Sequence, residues 1–188
     1  MNVNVPVESH NLRLVEKEVV AAPGRREVLV EFALQQGAAE AASILPDLVV
    51  VSEQVRYKRQ YGCRHYQRNK MCPPETPPIV EFRTVVRCYD NALLVRTAPE
   101  TLHELILTLE REAFLHGHVL ALGLIESPCL LCQKCPGPNV PCLQPQKARP
   151  SMEAMGINVF RTCANAGIEL RVLTNPAERY LATGLVLF

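Results

Sequence analysis

The chain has 188 residues, a formal net charge of +1, an apolar share of 48% and an aromatic share of 5% with no Trp. This length fits one domain with its own hydrophobic core, which we expect to span residues 1–188, with 1–25 as a peripheral N-terminal segment. The near-zero charge and the scarcity of aromatic side chains argue against a nucleic-acid-binding surface, and no apolar run has the length of a membrane span.

The predicted elements alternate between strands and helices. Runs of β-branched residues indicate strands, periodic apolar faces indicate helices, and Pro, Gly and Asn mark their boundaries. In chain order the elements are an edge strand within 12–20, a helix over 27–43, a strand over 47–51, an irregular segment over 54–78, a helix from Thr76 to about 89, a strand over 92–96, a helix over 99–117, a strand over 118–125, a second irregular segment over 127–149, a helix over 150–166, and strands over 169–173 and 180–188. They predict an α+β or α/β fold, in which helices cover a single-layer mixed sheet and two loops rich in Cys and Pro bind metal.

The cysteines indicate the cellular compartment. The first residues show no basic stretch followed by an apolar one, so we expect no secretory signal. Eight cysteines in such a chain are expected to be reduced, and clustered reduced cysteines hold metal more often than they form disulfides. We therefore expect a cytoplasmic protein.

Four cysteines of the second irregular segment form a C-x2-C-x2-C-x6-C pattern: Cys129, Cys132, Cys135 and Cys142. Gaps of two residues are typical of loops that wrap an iron–sulfur cluster, where each thiolate binds one iron. The last gap is longer than usual, and C-x2-C pairs also hold structural zinc. The pattern predicts a [4Fe-4S] cluster, with zinc as the alternative and disulfides or inert thiols as a third interpretation.

Cys63 and Cys72 belong to the first irregular segment and are further candidate metal ligands, at the same centre or elsewhere. Residues 54–74 include six basic side chains and no acidic one. Positive charge beside a cluster compensates for its thiolates and donates hydrogen bonds to sulfur. The side chains that we expect to contact the cofactor here are Arg64, Arg68 and Lys70. The same charge would alternatively receive a small anionic substrate or an acidic redox partner protein.

Arg149 and Ser151 follow the second irregular segment and complete the cofactor-binding candidates. In one interpretation, the first N–H groups of a helix beginning at Pro150 attract anions, including the sulfides of a cluster. In the alternative, Ser151 only caps that helix. Cys88 and Cys163 have no cysteine neighbour within the predicted helices, and we interpret them as buried apolar side chains.

These motifs together resemble a known family. The likeness rests on Tyr61-Gly62-Cys63, on residues 68–74, on the first three cysteines of the later run, and on residues 148–157. They look like a prokaryotic family of small cysteine-rich proteins described as predicted metal-binding, a domain of unknown function, and the likeness covers roughly residues 28–173. The resemblance implies a metal centre held by the cysteines named above. It implies no reaction.

Three functions are consistent with these features. The leading one is a [4Fe-4S] protein in electron transfer or in redox support of a partner enzyme. The second is a cluster enzyme, in which three thiolates leave one iron open to a small anionic or sulfur-containing substrate. The third is a zinc-organised interaction module without catalysis. Whether the protein is an enzyme stays open at this point.

Overall fold

The computed structural model describes residues 25–137, 140–175 and 178–188. Its elements are α1 (Arg25–Gln35), β1 (Glu40–Ile44), a 3-10 turn (Pro46–Leu48), α2 (Glu53–Gly62), α3 (Ile79–Val86), β2 (Ala92–Thr97), α4 (Leu102–Leu115), β3 (Leu122–Leu124), α5 (Val159–Asn165) and β4 (Ala182–Leu187). The predicted α+β class is confirmed. The described strands form one sheet in the order β1-β2-β4-β3, and its three ladders are antiparallel, so the prediction of a mixed sheet is wrong.

Helices cover both faces of this sheet. Side chains of a strand alternate between the two faces, so that Leu93 and Val95 of β2 pack with α1 and α4, whereas Ala92 and Leu94 pack with α3 and α5. All four are fully buried. The two central strands therefore contribute to two separate hydrophobic cores, one on each side of the sheet. None of the described helices has the length and apolar character needed to cross a membrane.

The close approach of α4 to the sheet depends on two glycines. A Cβ atom built on Gly123 would lie 2.5 Å from Cγ2 of Ile106, and one on Gly184 would lie 2.6 Å from its Cδ1. Ile106 itself is fully buried between the helix and the strands. Glycine in these strands thus lets a large side chain of α4 fill the space next to the sheet.

The predicted strand over 92–96 and the predicted helix over 99–117 are confirmed as β2 and α4. The prediction that the first helix continues to residue 43 is wrong. Gly37, at φ +96°, ends α1, and the Ala38 N–H donates to the Ala33 carbonyl over 3.0 Å. Residues 40–44 pair with β2 instead, so tertiary pairing overrides the helical propensity of the Ala-rich stretch.

The predicted strand over 47–51 is also wrong. The backbone of this stretch bonds to α5 and its cap, since the Val50 N–H donates to Oγ1 of Thr162 (3.0 Å) and the Val50 carbonyl accepts from Asn158 (2.8 Å). The start of the first irregular segment is helical, because Oγ of Ser52 accepts the Gln54 N–H and caps α2.

The other boundaries shift as well. The helix predicted from Thr76 begins at Ile79, and Thr76 instead donates to the Ala154 carbonyl over 3.1 Å. The strands predicted over 118–125 and 180–188 shorten to β3 and β4, and residues 169–173 form no strand. The edge strand predicted within 12–20 lies outside the described residues.

Candidate metal centre

The ends of the cysteine segment (residues 127–149) are held together beside the sheet. An isolated parallel bridge joins Ile125 to Ser151, with the Ile125 N–H donating to Pro150 (3.1 Å) and the Met152 N–H donating to Ile125 (2.8 Å). The segment is therefore a long loop with a closed neck, and its described part contains no helix or strand.

The four cysteines of the run line one small cavity, which we call the cysteine cavity. Its cysteines are Cys129, Cys132, Cys135 and Cys142, all of them free thiols and all half-buried. The sequence predicts that these cysteines hold one metal centre, and the fold places all four in the lining of this cavity. The described part of the loop contains only turns and bends, so the closed neck limits where its thiols can lie.

The first irregular segment supplies another wall of the cysteine cavity, through Asn69, Lys70 and Met71. Asn69 is 7% exposed and its Nδ2 donates to the Cys129 carbonyl over 2.8 Å, while its Oδ1 accepts the Met71 N–H over 2.9 Å. One buried amide thus connects the two cysteine-bearing segments.

Several N–H groups point at the thiol sulfurs. Nε2 of Gln144 lies 3.8 Å from Sγ of Cys132, and the same nitrogen donates to the Leu131 carbonyl at 2.8 Å. Nη2 of Arg59 lies 3.9 Å from Sγ of Cys72. Donors of this kind stabilise thiolates and tune the metal centres that thiolates hold. Asn69, Gln144 and Arg59 were missed as site residues, and apart from their nearness to cysteines the sequence holds no signal for them.

The surroundings of Cys129 favour the protonated form of its thiol. Burial raises the pKa of Cys129, the Leu131 N–H opposes that shift, and the neighbouring thiols of Cys142, Cys132 and Cys135 raise the pKa further. Because metal ligation requires thiolates, metal binding at this cavity would release protons.

Cys72 and Cys63 lie near the cysteine cavity but do not line it. Cys72 is 1% exposed, and burial raises its pKa. Arg59 opposes that shift of the Cys72 pKa, whereas Cys63 and Cys129 add to it, so the Cys72 thiol interacts electrostatically with cysteines of both segments. Cys63 lines a different and larger pocket.

The five predicted cofactor-binding side chains are dispersed. Lys70 lines the cysteine cavity and pairs with Glu75 at 3.4 Å, whereas Arg64 and Arg68 are exposed. Nε of Arg64 contacts Nε2 of His65 at 3.1 Å, and burial, followed by Arg64 and two other arginines, lowers the pKa of that histidine.

Arg149 and Ser151 have structural partners at the neck of the loop. Nε of Arg149 donates to Oε2 of Glu110 over 2.7 Å, and Nη2 of Arg149 donates to Oε1 of the same carboxylate. The helix predicted to begin at Pro150 is wrong, because α5 begins at Val159. Ser151 is 1% exposed and its Oγ accepts the Ala154 N–H over 3.1 Å, so it caps a turn.

The two remaining cysteines differ from each other. Cys163 is fully buried in α5, as predicted, and burial raises its pKa to about 11. The prediction that Cys88 is buried is wrong: it follows the end of α3, is exposed, and its Sγ lies 3.5 Å from the Thr84 carbonyl.

The donor set of the cysteine cavity fits a metal in its chemistry, since it consists of four soft thiols with N–H donors beside them. Within the described ranges, no three His, Cys, Asp or Glu side chains are close enough to ligate one metal ion. The four cysteines therefore line one cavity, but in the described part of the chain no three of their side chains converge on a single metal position.

An α+β sheet and a loop whose four cysteines line one cavity define the class of protein: a small cysteine-rich protein with its thiols gathered beside the sheet. The comparison with known families is more specific. The chain belongs to the predicted metal-binding protein family DUF2284, which it matches over residues 42–188. No curated protein and no solved structure matches it.

Proposed function

We propose that this protein holds one [4Fe-4S] cluster through Cys129, Cys132, Cys135 and Cys142 and transfers electrons to or from a partner enzyme. The observation that supports this most directly is the single cavity that these four thiols line. In a four-iron cluster each cysteine binds a different iron, so thiolates arranged around a shared space suit it. Such a cluster, when bound, accepts and releases single electrons.

The neighbouring residues favour a cluster in the same place. Lys70 contributes an ammonium group to the cavity wall, where it is paired with Glu75, and Nε2 of Gln144, which donates to the Leu131 carbonyl, also lies 3.8 Å from Sγ of Cys132. Cationic side chains and N–H donors stabilise the negative charge of thiolate-ligated iron and raise its reduction potential. The amide of Asn69 holds the backbone at Cys129, which keeps one ligand in a fixed orientation.

The cavity between the thiols measures about 20 Å³, which is roughly the space of one water molecule. A four-iron cluster is larger, so we expect the loop to move outward when it binds. The described part of the cysteine segment has no helix or strand to resist that movement, while the bridge between Ile125 and Ser151 keeps its ends in place.

The test is metal and sulfide analysis of protein purified without air, together with its absorption spectrum. We expect about four irons and about four sulfides per chain, and a broad absorption band at about 400 nm. Colourless protein with one tightly bound zinc would refute the proposal and favour the zinc module.

Single Cys→Ser variants test the ligand set. Replacing any cysteine of the run should reduce iron content strongly, whereas Cys88→Ser is the matched control, since Cys88 is exposed and lies outside the cavity. The Cys63→Ser and Cys72→Ser variants should contain as much iron as the wild-type protein. Loss of iron in Cys72→Ser would show that this thiol replaces a member of the proposed set.

A further inference from the structure

A second and much larger cavity lies beside the metal centre, with a volume of about 920 Å³. It is formed by α2 and the residues that follow it, by Pro128 of the cysteine segment, and by the beginning of α5 with the turn that precedes it. We call it the basic pocket. Its volume is within the range of small-molecule sites, about 300–1,000 Å³. An electron carrier needs no such pocket. The residues that line the basic pocket therefore indicate a binding role in addition to the proposed electron transfer.

The charge of the lining is positive. Four cationic side chains contribute to it: Lys58, Arg59, Arg64 and Arg161. The only carboxylate among the lining residues is Glu153, and burial raises its pKa. Cationic groups gathered around a concave surface attract anions and raise their local concentration. The ligand class that this charge favours is anionic.

The other side of the basic pocket is apolar. Its accessible apolar side chains are those of Val55, Val159 and Phe160. Val55 and Val159 are half-buried, whereas Phe160 is 50% exposed at the start of α5. An exposed aromatic ring beside a fixed aliphatic surface gives an apolar group a place to pack. A simple inorganic anion would leave this surface unused.

Two buried polar atoms belong to residues of the same lining. Nε of Arg59 and Oε2 of Glu153 are buried and have no hydrogen-bond partner among the described residues. Leaving a buried donor such as Nε of Arg59 unsatisfied is costly, and a bound anion would supply the acceptor that this donor lacks. Arg59 also reaches Sγ of Cys72 with Nη2, so the basic pocket is in contact with the cysteine-bearing region.

We propose that the basic pocket binds a small organic anion, whose phosphate or carboxylate group lies among Lys58, Arg59 and Arg161 and whose apolar body packs on Phe160. The combination of charge and apolar surface in one cavity distinguishes this from a general positive surface. The proposal holds whichever metal occupies the cysteine cavity.

The test uses phenyl phosphate as probe, with inorganic phosphate and phenol as comparison compounds, in calorimetric titrations of the protein with the metal it retains. We expect one phenyl phosphate per chain, bound at least about tenfold more tightly than either comparison compound, because only the probe uses both parts of the lining. Equal binding of phenyl phosphate and inorganic phosphate, or no saturable binding of phenyl phosphate, would overturn the proposal.

Two substitutions and a matched control locate the site. Arg161→Gln should weaken phenyl phosphate binding by about three- to tenfold, since it removes one charged donor. Phe160→Ala should weaken phenyl phosphate but leave inorganic phosphate unchanged. Arg111→Gln removes the same charge from the exposed side of α4, on the opposite face of the sheet, and should leave binding as in the wild type.

The variants also separate this proposal from the one on the metal. Arg161 and Phe160 do not line the cysteine cavity, so their variants should keep the wild-type metal content. Absence of iron from the wild-type protein would refute the cluster and leave the titrations valid. Phenyl phosphate binding that is the same in Arg161→Gln, Phe160→Ala and wild type would place the ligand elsewhere and refute the basic pocket.

Discussion

At the scale of single residues, the cysteines outside the candidate centre provide the sharpest contrast. Cys88 is exposed, whereas Cys163 is fully buried and has a pKa of about 11. At pH 8 only about one Cys163 thiol in a thousand is ionised, and the thiolate is the reactive form. We expect iodoacetamide to modify Cys88 of the folded protein and to leave Cys163 unmodified until the protein is unfolded, as measured by peptide mass spectrometry. Modification of both at the same rate would contradict the burial of α5.

A buried carboxyl group makes stability depend on pH. Oε2 of Glu126 accepts the Thr183 N–H over 2.6 Å, and burial raises the pKa of this carboxyl above 4.5. A raised pKa in the folded state means that the protonated form favours folding. This stabilisation is complete below about pH 4.5 and is lost as the pH rises through the folded-state pKa.

Glu126→Gln should therefore become more stable relative to the wild type as the pH is raised from about 4.5 to 8, because the amide keeps an acceptor for Thr183 and does not ionise. The measurement is the free energy of unfolding in urea at several pH values. Glu104→Gln, an exposed change on α4, is the control and should follow the wild-type curve. A constant difference between Glu126→Gln and wild type would contradict the assignment.

At the scale of secondary structure elements, the contact of α4 with the sheet depends on the absence of a side chain at Gly184. Gly184→Ala would bring a Cβ to 2.6 Å from Cδ1 of Ile106 and 3.0 Å from Cδ1 of Leu102. We expect the free energy of unfolding to fall by about 1–3 kcal/mol. Gly62→Ala is the control, since no atom lies within 4 Å of its Cβ, and it should leave stability unchanged or raise it by up to about 1 kcal/mol. Urea denaturation measures both.

The cysteine segment should also respond to metal. Lys134 is exposed between Cys132 and Cys135. A bound centre restrains both neighbouring thiols, so trypsin should cleave after Lys134 readily in chelator-treated protein and slowly in protein with its metal. Timed digestion followed by mass spectrometry measures this. Equal cleavage rates would show that metal does not order the segment.

Elements whose signals lie within a short stretch of sequence were predicted correctly, whereas elements that depend on distant contacts were not. α4 was predictable because its apolar periodicity and its end at Gly117 are local signals. β1 was not, since its strand conformation depends on pairing with β2, which is distant in sequence. α2 was missed because its residues are mostly polar and basic, so it offers few apolar side chains in which a helical period can be recognised.

The same distinction applies to the candidate site. Spacing alone grouped the four cysteines of the run, because they belong to one loop. The contact from Asn69 to Cys129 joins residues 60 positions apart, and no local pattern signals it. Arg149 and Ser151 were assigned to the cofactor from a helix start that does not exist, and both instead hold the neck of the loop.

At the scale of the whole molecule, a metal bound in the cysteine cavity would add a connection between two long segments that contain no strand of the sheet. Asn69 is the described hydrogen-bond link between Cys129 and the first irregular segment, and it is nearly fully buried. A metal that binds only the folded protein stabilises it, and the gain is lost when the metal is removed. Chelation should therefore lower the midpoint of thermal unfolding.

Asn69→Ala should act through the same connection. Removal of the Asn69 amide leaves the Met71 N–H without its acceptor and the Cys129 carbonyl without its donor. We therefore expect the free energy of unfolding of the metal-bound protein to fall by about 1–3 kcal/mol, and we expect a chelator to remove the metal faster. Gln67→Ala, an exposed change in the same segment, is the control and should retain metal as the wild type does. Thermal unfolding and chelator-dependent metal release, measured on both variants, distinguish a general loss of stability from a weakened centre. If Asn69→Ala lowers stability equally with and without metal and releases metal at the wild-type rate, the two segments meet for structural reasons alone.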